Sequence, residues 1–93
     1  MLEQWKKSER QYWLGEKGSS FIYDDDLKRW KEQTRDEPPS CLFDESAKNN
    51  TYVELFDPLR KVSIRLYADH AKYREEGSEW VVLRAGKWVL TNP

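Results

Sequence analysis

His70 is the single histidine of the chain, and Asp69 stands directly before it. A histidine held by a carboxylate is a common general base in enzymes. Side chains of consecutive residues usually point in different directions, however, and no motif joins a serine or a cysteine to this pair. We therefore interpret Ala68-Asp69-His70 as a turn rather than as a catalytic dyad.

Two further groups of residues suggest metal chemistry. Asp24-Asp25-Asp26 places three carboxylates in a row, whereas a calcium loop needs spaced acids, a glycine at the sharp turn and a distant glutamate. Cys41 is the single cysteine, and one cysteine with one histidine does not complete a four-ligand zinc site. The sequence thus predicts no metal and no cofactor, an acidic turn or helix start at Asp24, and a small half-buried hydrophobic residue at Cys41.

The segment Lys28-Arg29-Trp30-Lys31 mixes cations with an aromatic ring, as proteins that bind single-stranded nucleic acid do. The acidic residues before it and Glu32 after it cancel its charge. The whole chain has a formal net charge of −1, which gives no long-range field to attract nucleic acid or an acidic membrane. Nucleic-acid binding is therefore not the favoured function.

Aromatic residues give the strongest indication of function. The chain has five Trp, five Tyr and three Phe among 93 residues, which is many for so polar a sequence. Aromatic side chains that form a contiguous exposed patch mark a protein-binding surface, and the alternative is that most of them belong to the core. The predicted binding residues are Trp5, Tyr12, Trp13, Trp30 and Trp88.

A hairpin over residues 51–67 is the clearest element that would position such residues. Val62, Ile64 and Leu66 alternate with polar residues, which is the period of a strand. Residues 52–56 are also rich in strand formers, and Asp57-Pro58 suits the start of a type I turn. A loop of two or four residues gives one aliphatic face and one face with a charge pair between aromatics. Its pairs are Leu55 with Ile64, Val53 with Leu66, Glu54 with Arg65, Tyr52 with Tyr67 and Phe56 with Ser63.

The N-terminal segment 1–14 predicts a short helix. Leu2, Trp5, Tyr12 and Trp13 fall near one stripe, and Gly15 is placed to end the helix. Such a helix is marginal alone, so we expect it to dock on the aromatic face of the central hairpin. A strand over residues 11–14 is the alternative.

Short strands are predicted for the rest of the chain. They lie at 21–23, around Trp30, at 41–43, at 71–75, at 80–83 and at 87–90. A turn at Glu76-Gly77 would set Tyr73 opposite Trp80 and Ala71 opposite Val82, and a second turn would lie at Ala85-Gly86. Helices near 26–35 or 69–76 are the alternatives, which would make the fold α+β.

The fold class predicted from this pattern is mainly β. We expect residues 1–93 to form a single domain, in which residues 19–90 are an antiparallel β-meander of about seven strands. The sheet is either twisted and open or a small, partly open barrel, and the helix packs across it. The predicted core residues are Val53, Leu55, Val62, Ile64, Leu66, Val82 and Trp30.

The predicted function is a non-enzymatic binding or assembly module that contacts a protein partner or a second copy of itself. The alternatives are a small enzyme or ligand-binding protein with a pocket between helix and sheet, and a weak nucleic-acid binder. A pocket lined by His70 and two carboxylates would favour the enzyme. The absence of a signal-peptide pattern and of a long apolar stretch, together with the lone cysteine, predicts a cytoplasmic location.

Overall fold

The computed structural model describes residues 10–34 and 41–89, which form eight antiparallel strands and one short 3-10 helix. Each strand pairs with the next one along the chain, and the last strand pairs with the first, so that the sheet closes into a barrel. The strands are β1 Tyr12–Gly15, β2 Ser20–Asp24, β3 Arg29–Gln33, β4 Cys41–Lys48, β5 Tyr52–Asp57, β6 Val62–Tyr67, β7 His70–Glu75 and β8 Val81–Trp88; the 3-10 helix is Glu16–Gly18. The predicted mainly β antiparallel fold is confirmed, with a closed barrel and one strand more than expected.

Two long strands, β4 and β8, each belong to both halves of the barrel. The first part of β4 pairs with β3 and its second part pairs with β5, across a bulge between Glu45 and Ala47. The first part of β8 pairs with β7, with a register shift between Ala71 and Lys72, and its second part pairs with β1. The irregularities bend the chain, so the barrel consists of two sheets that share these two strands.

The central hairpin has the predicted register. β5 and β6 pair Val53 with Leu66, Leu55 with Ile64 and Glu54 with Arg65, and the loop between them has four residues. Asp57 Oδ1 accepts hydrogen bonds from the backbone N–H groups of Leu59 and Arg60, at 2.9 and 3.3 Å. The aspartate therefore shapes the turn, as expected for its side chain at this position.

The predicted N-terminal helix is wrong at its C-terminal end. Its first nine residues lie outside the described part of the chain. Tyr12 and Trp13 belong to strand β1, as the alternative interpretation proposed. Trp13 stands opposite Phe21 of β2 and Trp88 of β8. This segment pairs with two neighbouring strands and buries every second residue. These tertiary contacts outweigh the apolar spacing that predicted a helix.

The two helices of the α+β alternative are not formed in the described residues. Residues 25–28 make a turn before β3, in which Asp24 Oδ1 accepts hydrogen bonds from the N–H groups of Asp26 and Leu27. Residues 70–75 form β7. No helix in the described part of the chain is long and apolar enough to cross a membrane.

The predicted turn at Ala85-Gly86 is also wrong, because β8 runs unbroken from Val81 to Trp88. Gly86 has a different role. A β-carbon there would overlap the six-membered ring of Trp13, so the glycine lets that indole lie directly against the backbone of β8. A glycine inside a strand often marks such a close approach.

The barrel interior is built from residues of every strand except β8 that are almost completely buried. They are Trp13, Phe21, Trp30, Phe43, Val53, Leu55, Ile64, Leu66 and Ala71. Val62, also predicted, is half-buried and packs against them. Val82 is a wrong prediction, since it is 66% exposed. The connection from β7 to β8 is longer than the predicted tight turn, so Val82 stands opposite Lys72 instead of Ala71 and faces solvent.

Candidate functional site

The predicted binding tryptophans are largely interior residues. Trp13 and Trp30 are 0% and 1% exposed. Trp13 Nε1 donates a hydrogen bond to the carbonyl oxygen of Tyr67 at 2.8 Å, and Trp30 Nε1 donates to Glu45 Oε1 at 3.1 Å. Both indoles thus have a polar partner, which buried tryptophans usually require. Neither ring is available to a partner protein.

Two of the remaining predicted residues, Tyr12 and Trp88, lie in the described part of the chain. Tyr12 and Trp88 are half-buried, and Trp88 packs edge-to-face on Trp30 with ring centroids 6.3 Å apart. Trp5 lies outside the described residues. The structure therefore places Trp13, Trp30 and Trp88 in or against the core, in agreement with the alternative prediction.

A different group of residues, rich in aromatic rings and mostly half-buried, forms a surface on the outside of the barrel, which we call the outer face. Alternate residues of β5, β6 and β7 point away from the core, as their burial pattern shows. The outer face comprises Tyr52, Glu54, Phe56, Ser63, Arg65, Tyr67, His70, Lys72 and Arg74, with Trp80 from the connection before β8. The strand register aligns it in rows, for example Phe56 opposite Ser63 and Ser63 opposite Arg74.

Four side chains form a continuous stack across the outer face. The Arg65 guanidinium carbon lies 4.4 Å from the ring centroid of Tyr52 and 4.3 Å from that of Trp80. The Arg74 guanidinium carbon lies 4.8 Å from the Trp80 centroid. Aromatic rings attract cations at these distances. The order of the stack is therefore Tyr52, Arg65, Trp80, Arg74.

Glu54 fixes the orientation of Arg65 within this stack. Its Oε1 accepts a hydrogen bond from Arg65 Nε at 2.7 Å, and its Oε2 accepts one from Ser46 Oγ at 3.0 Å. Partial burial of Arg65 disfavours its charged form, but the hydrogen bonds with Glu54 and Tyr67 hold the pKa of Arg65 above its usual value. Arg65 is thus a permanently charged and positioned group.

The histidine lies at one end of the outer face. His70 stacks on Tyr67 with ring centroids 4.5 Å apart and planes 6° from parallel. Its Nδ1 lies 2.6 Å from Asp69 Oδ1, so the expectation that these neighbours point apart is wrong. A bend at residues 68–69 brings them together. The hydrogen bond from His70 lowers the pKa of the exposed Asp69 carboxyl.

A groove of about 540 Å³ opens at the other end of the outer face. Phe56, Ser63 and Arg74 line it from three neighbouring strands, and Lys61 and the turn at residues 76–78 complete its lining. The Glu76 N–H donates a hydrogen bond to the Lys61 carbonyl at 3.0 Å, and Lys61 Nζ lies 3.7 Å from Glu76 Oε2. These contacts join the turn before β6 to the turn after β7, so the groove between them is preformed.

No family model, curated protein or solved structure matches this chain.

A second groove, of about 470 Å³, lies where the turn before β3 diverges from β4. Its lining mixes cations and anions, and several of these already have partners. Arg10 donates a hydrogen bond to the Asn49 carbonyl, and Asp44 pairs with Arg29 at 2.9 Å. Its aromatic floor includes the almost fully buried Trp30. Because Arg10 and Asp44 already have partners, this groove is the weaker candidate.

The predicted binding residues do not include Lys72, Arg74 and Trp80 of the outer face. The hairpin register had already placed Glu54 beside Arg65 and Tyr52 beside Tyr67, and both pairs are present. Trp80 was assigned to a strand, whereas it precedes β8. Its contact with Arg65 depends on the path of the connection from β7, for which the local sequence gives no signal.

Proposed function

We propose that this chain is a non-enzymatic binding module that contacts another protein through the outer face. The observation that carries the proposal is the stack of Tyr52, Arg65, Trp80 and Arg74. Tryptophan, tyrosine and arginine are the residue types that dominate binding energy at protein interfaces. They are brought together here on the side of the sheet away from the core.

Preorganisation supports this function. Ordering one flexible side chain on binding reduces the free energy of association by about 0.5–1.5 kcal/mol. Arg65 is already held by Glu54 and by the rings of Tyr52 and Trp80, so much of that cost is met before a partner arrives. Val81 and Val82, which are 46% and 66% exposed, add apolar surface on the neighbouring strand.

The geometry gives less support to the alternatives. Neither of the two larger grooves in the described residues has His70 in its lining, so the arrangement that would favour an enzyme is not assembled there. Single-stranded nucleic acid binds by stacking bases on open aromatic faces. Arg65 lies against the rings of Tyr52 and Trp80, and Arg74 lies against that of Trp80, so part of the ring surface on which bases would stack is already covered.

Site-specific photo-crosslinking tests the proposal. Benzoylphenylalanine would replace Phe56 or Val82 on or beside the outer face, and in a matched control it would replace Leu42, which is 37% exposed on β4. The labelled proteins would be irradiated in their cell of origin. We expect protein adducts from the first two positions and not from Leu42, and their loss when Arg65→Ala is added.

Equal yields from all three positions would contradict an outer-face interface. So would crosslinks that mass spectrometry assigns to residues 1–9 of the same chain, because that segment would then occupy the outer face. The helix docking expected from the sequence predicts this second result, and the same experiment decides between the two.

A further inference from the structure

Resting on the proposed protein-binding function, we infer that the partner presents an acidic segment, with a carboxylate seated in the groove between Phe56, Ser63 and Arg74. The inference combines the charge of the outer face with the shape of this groove.

The outer face carries more positive charge than its own carboxylates neutralise. The Glu54 carboxylate already accepts hydrogen bonds from Arg65 and from the hydroxyl of Ser46. Lys72 and Arg74 form no ion pair with another residue in the described part of the chain, although each lies near an aromatic ring. The whole protein has a net charge of −1, so this concentration of positive charge is local. It favours a negatively charged partner at the outer face.

The lining of the groove brings hydrogen-bond donors together with the apolar ring of Phe56. The Arg74 guanidinium and the Ser63 hydroxyl lie on adjacent strands, directly opposite each other in the register. Lys61 and Ser78 also line the groove, as does Glu76, whose carboxylate is paired with the Lys61 ammonium at 3.7 Å. Among the described residues that line it, Arg74 is thus the cation without an ion pair. Arginine binds carboxylates through paired N–H groups, and Phe56 gives apolar contact to the stem of a glutamate. An acidic side chain therefore matches both the chemistry and the preformed shape.

A second copy of this chain matches the face poorly. A twofold-symmetric dimer brings the same patch of each copy together. Lys72 and Arg74 of one copy would then approach the same cations of the other, which costs energy across an interface. Nucleic acid shares the negative charge of an acidic peptide, but Arg65 already covers part of the Tyr52 and Trp80 rings on which its bases would stack.

Fluorescence anisotropy with defined probes tests the inference. The first probe is a fluorescein-labelled peptide of alternating glutamate and glycine, about eight residues long, because an extended chain rises about 3.3 Å per residue and then spans several strands. Its neutral control replaces glutamate with glutamine, and a third probe is single-stranded oligothymidine. We expect the glutamate peptide to bind at least tenfold more tightly than either of the other two.

Matched variants locate the binding. Arg74→Glu and Lys87→Glu each lower the net charge by two, and Lys87 is exposed on β8 where that strand pairs with β1. We expect Arg74→Glu to weaken binding of the glutamate peptide at least tenfold and Lys87→Glu to leave it within about twofold. Circular dichroism melting of both variants would verify that they are folded.

Three results would overturn the inference. An equal loss in both variants would mean that net charge alone governs binding, and tighter binding of oligothymidine would assign the face to nucleic acid. Absence of peptide binding, while outer-face crosslinks to a partner still form, would reject the acidic partner and leave the protein-binding function intact. If the crosslinks also fail, the proposed function fails with it.

Discussion

The indole side chains of the inner tryptophans, Trp13 and Trp30, and of the outer tryptophan, Trp80, have opposite surroundings in this barrel. Trp13 and Trp30 are buried, and each satisfies its single N–H with an oxygen acceptor. Trp80 instead presents its ring faces to the guanidinium groups of Arg65 and Arg74. The inner rings stabilise the core through their burial, whereas the outer ring orients two charged groups on the surface. The number of aromatic residues therefore does not identify a binding surface; the groups that contact each ring do.

Truncation of an inner tryptophan gives the largest expected effect. Trp13→Ala removes a fully buried indole and its hydrogen bond to Tyr67, so we expect a loss of about 3–5 kcal/mol in the free energy of unfolding. Urea denaturation measures it. Because a small domain is only about 5–15 kcal/mol stable, Trp13→Phe is the companion variant that keeps the chain folded. A loss below about 1 kcal/mol for Trp13→Ala would contradict the assignment of this ring to the core.

A substitution at Gly86, where the backbone faces the Trp13 ring, gives the next largest expected loss in the free energy of unfolding. Gly86→Ala drives a methyl group into the Trp13 indole, and we expect a loss of about 1–3 kcal/mol from overpacking. Gly77→Ala is the control, since Gly77 has φ of 84° but open space around it, and its cost comes from left-handed strain of about 1–2 kcal/mol.

A double variant separates these two causes. Trp13→Phe removes the six-membered part of the indole that the new methyl group meets, so it should relieve part of the Gly86→Ala penalty. It should leave the Gly77→Ala penalty unchanged. Strict additivity of Trp13→Phe with Gly86→Ala in urea denaturation would show that the two sites are not coupled.

The inner and outer regions also differ in how far the sequence predicts them. The hairpin register followed from its alternation and from the turn at Asp57, because both signals are local. Gly86 was misread as a turn residue because its partner, Trp13, lies far away along the chain. Val82 was misplaced because the connection from β7 is longer than a tight turn, and β8 consequently slips relative to β7. Local patterns predict strands and adjacent pairs, while barrel closure and the position of Trp80 depend on distant contacts.

A buried carboxylate at one end of the interior predicts a pH dependence. Burial alone would raise the pKa of Asp57, but the hydrogen bonds from the Arg60 side chain and from the N–H groups of Leu59 and Arg60 lower it below its usual range. A carboxyl group with a lowered folded-state pKa stabilises the fold above its unfolded pKa of about 3.9. That contribution is lost as the pH falls through the folded-state value.

Asp57→Asn tests this dependence. We expect the variant to be about 1–2 kcal/mol less stable than the wild type at pH 7, since the ion pair with Arg60 is removed. The difference should shrink as the pH is lowered below about 4, because the wild-type carboxyl then becomes protonated. Urea denaturation at pH 7, 5 and 3 measures both chains. A difference that stays constant over this range would contradict the charge-based explanation.

The outer tryptophan gives the smallest expected effect on stability and the sharpest contrast with the inner ones. Trp80 is half-buried and lies on the surface of the sheet. Trp80→Ala removes two cation–π contacts, each of about 0.5–1 kcal/mol at an exposed site, so we expect a loss of no more than about 1–2 kcal/mol in urea denaturation. The same variant should abolish partner crosslinking at Val82, because Arg65 and Arg74 lose the ring that aligns them. Trp80→Phe keeps a ring for both guanidiniums and should restore part of the crosslinking. A Trp80→Ala protein as unstable as Trp13→Ala would place Trp80 with the core, whereas unchanged crosslinking would show that the stack does not form the interface.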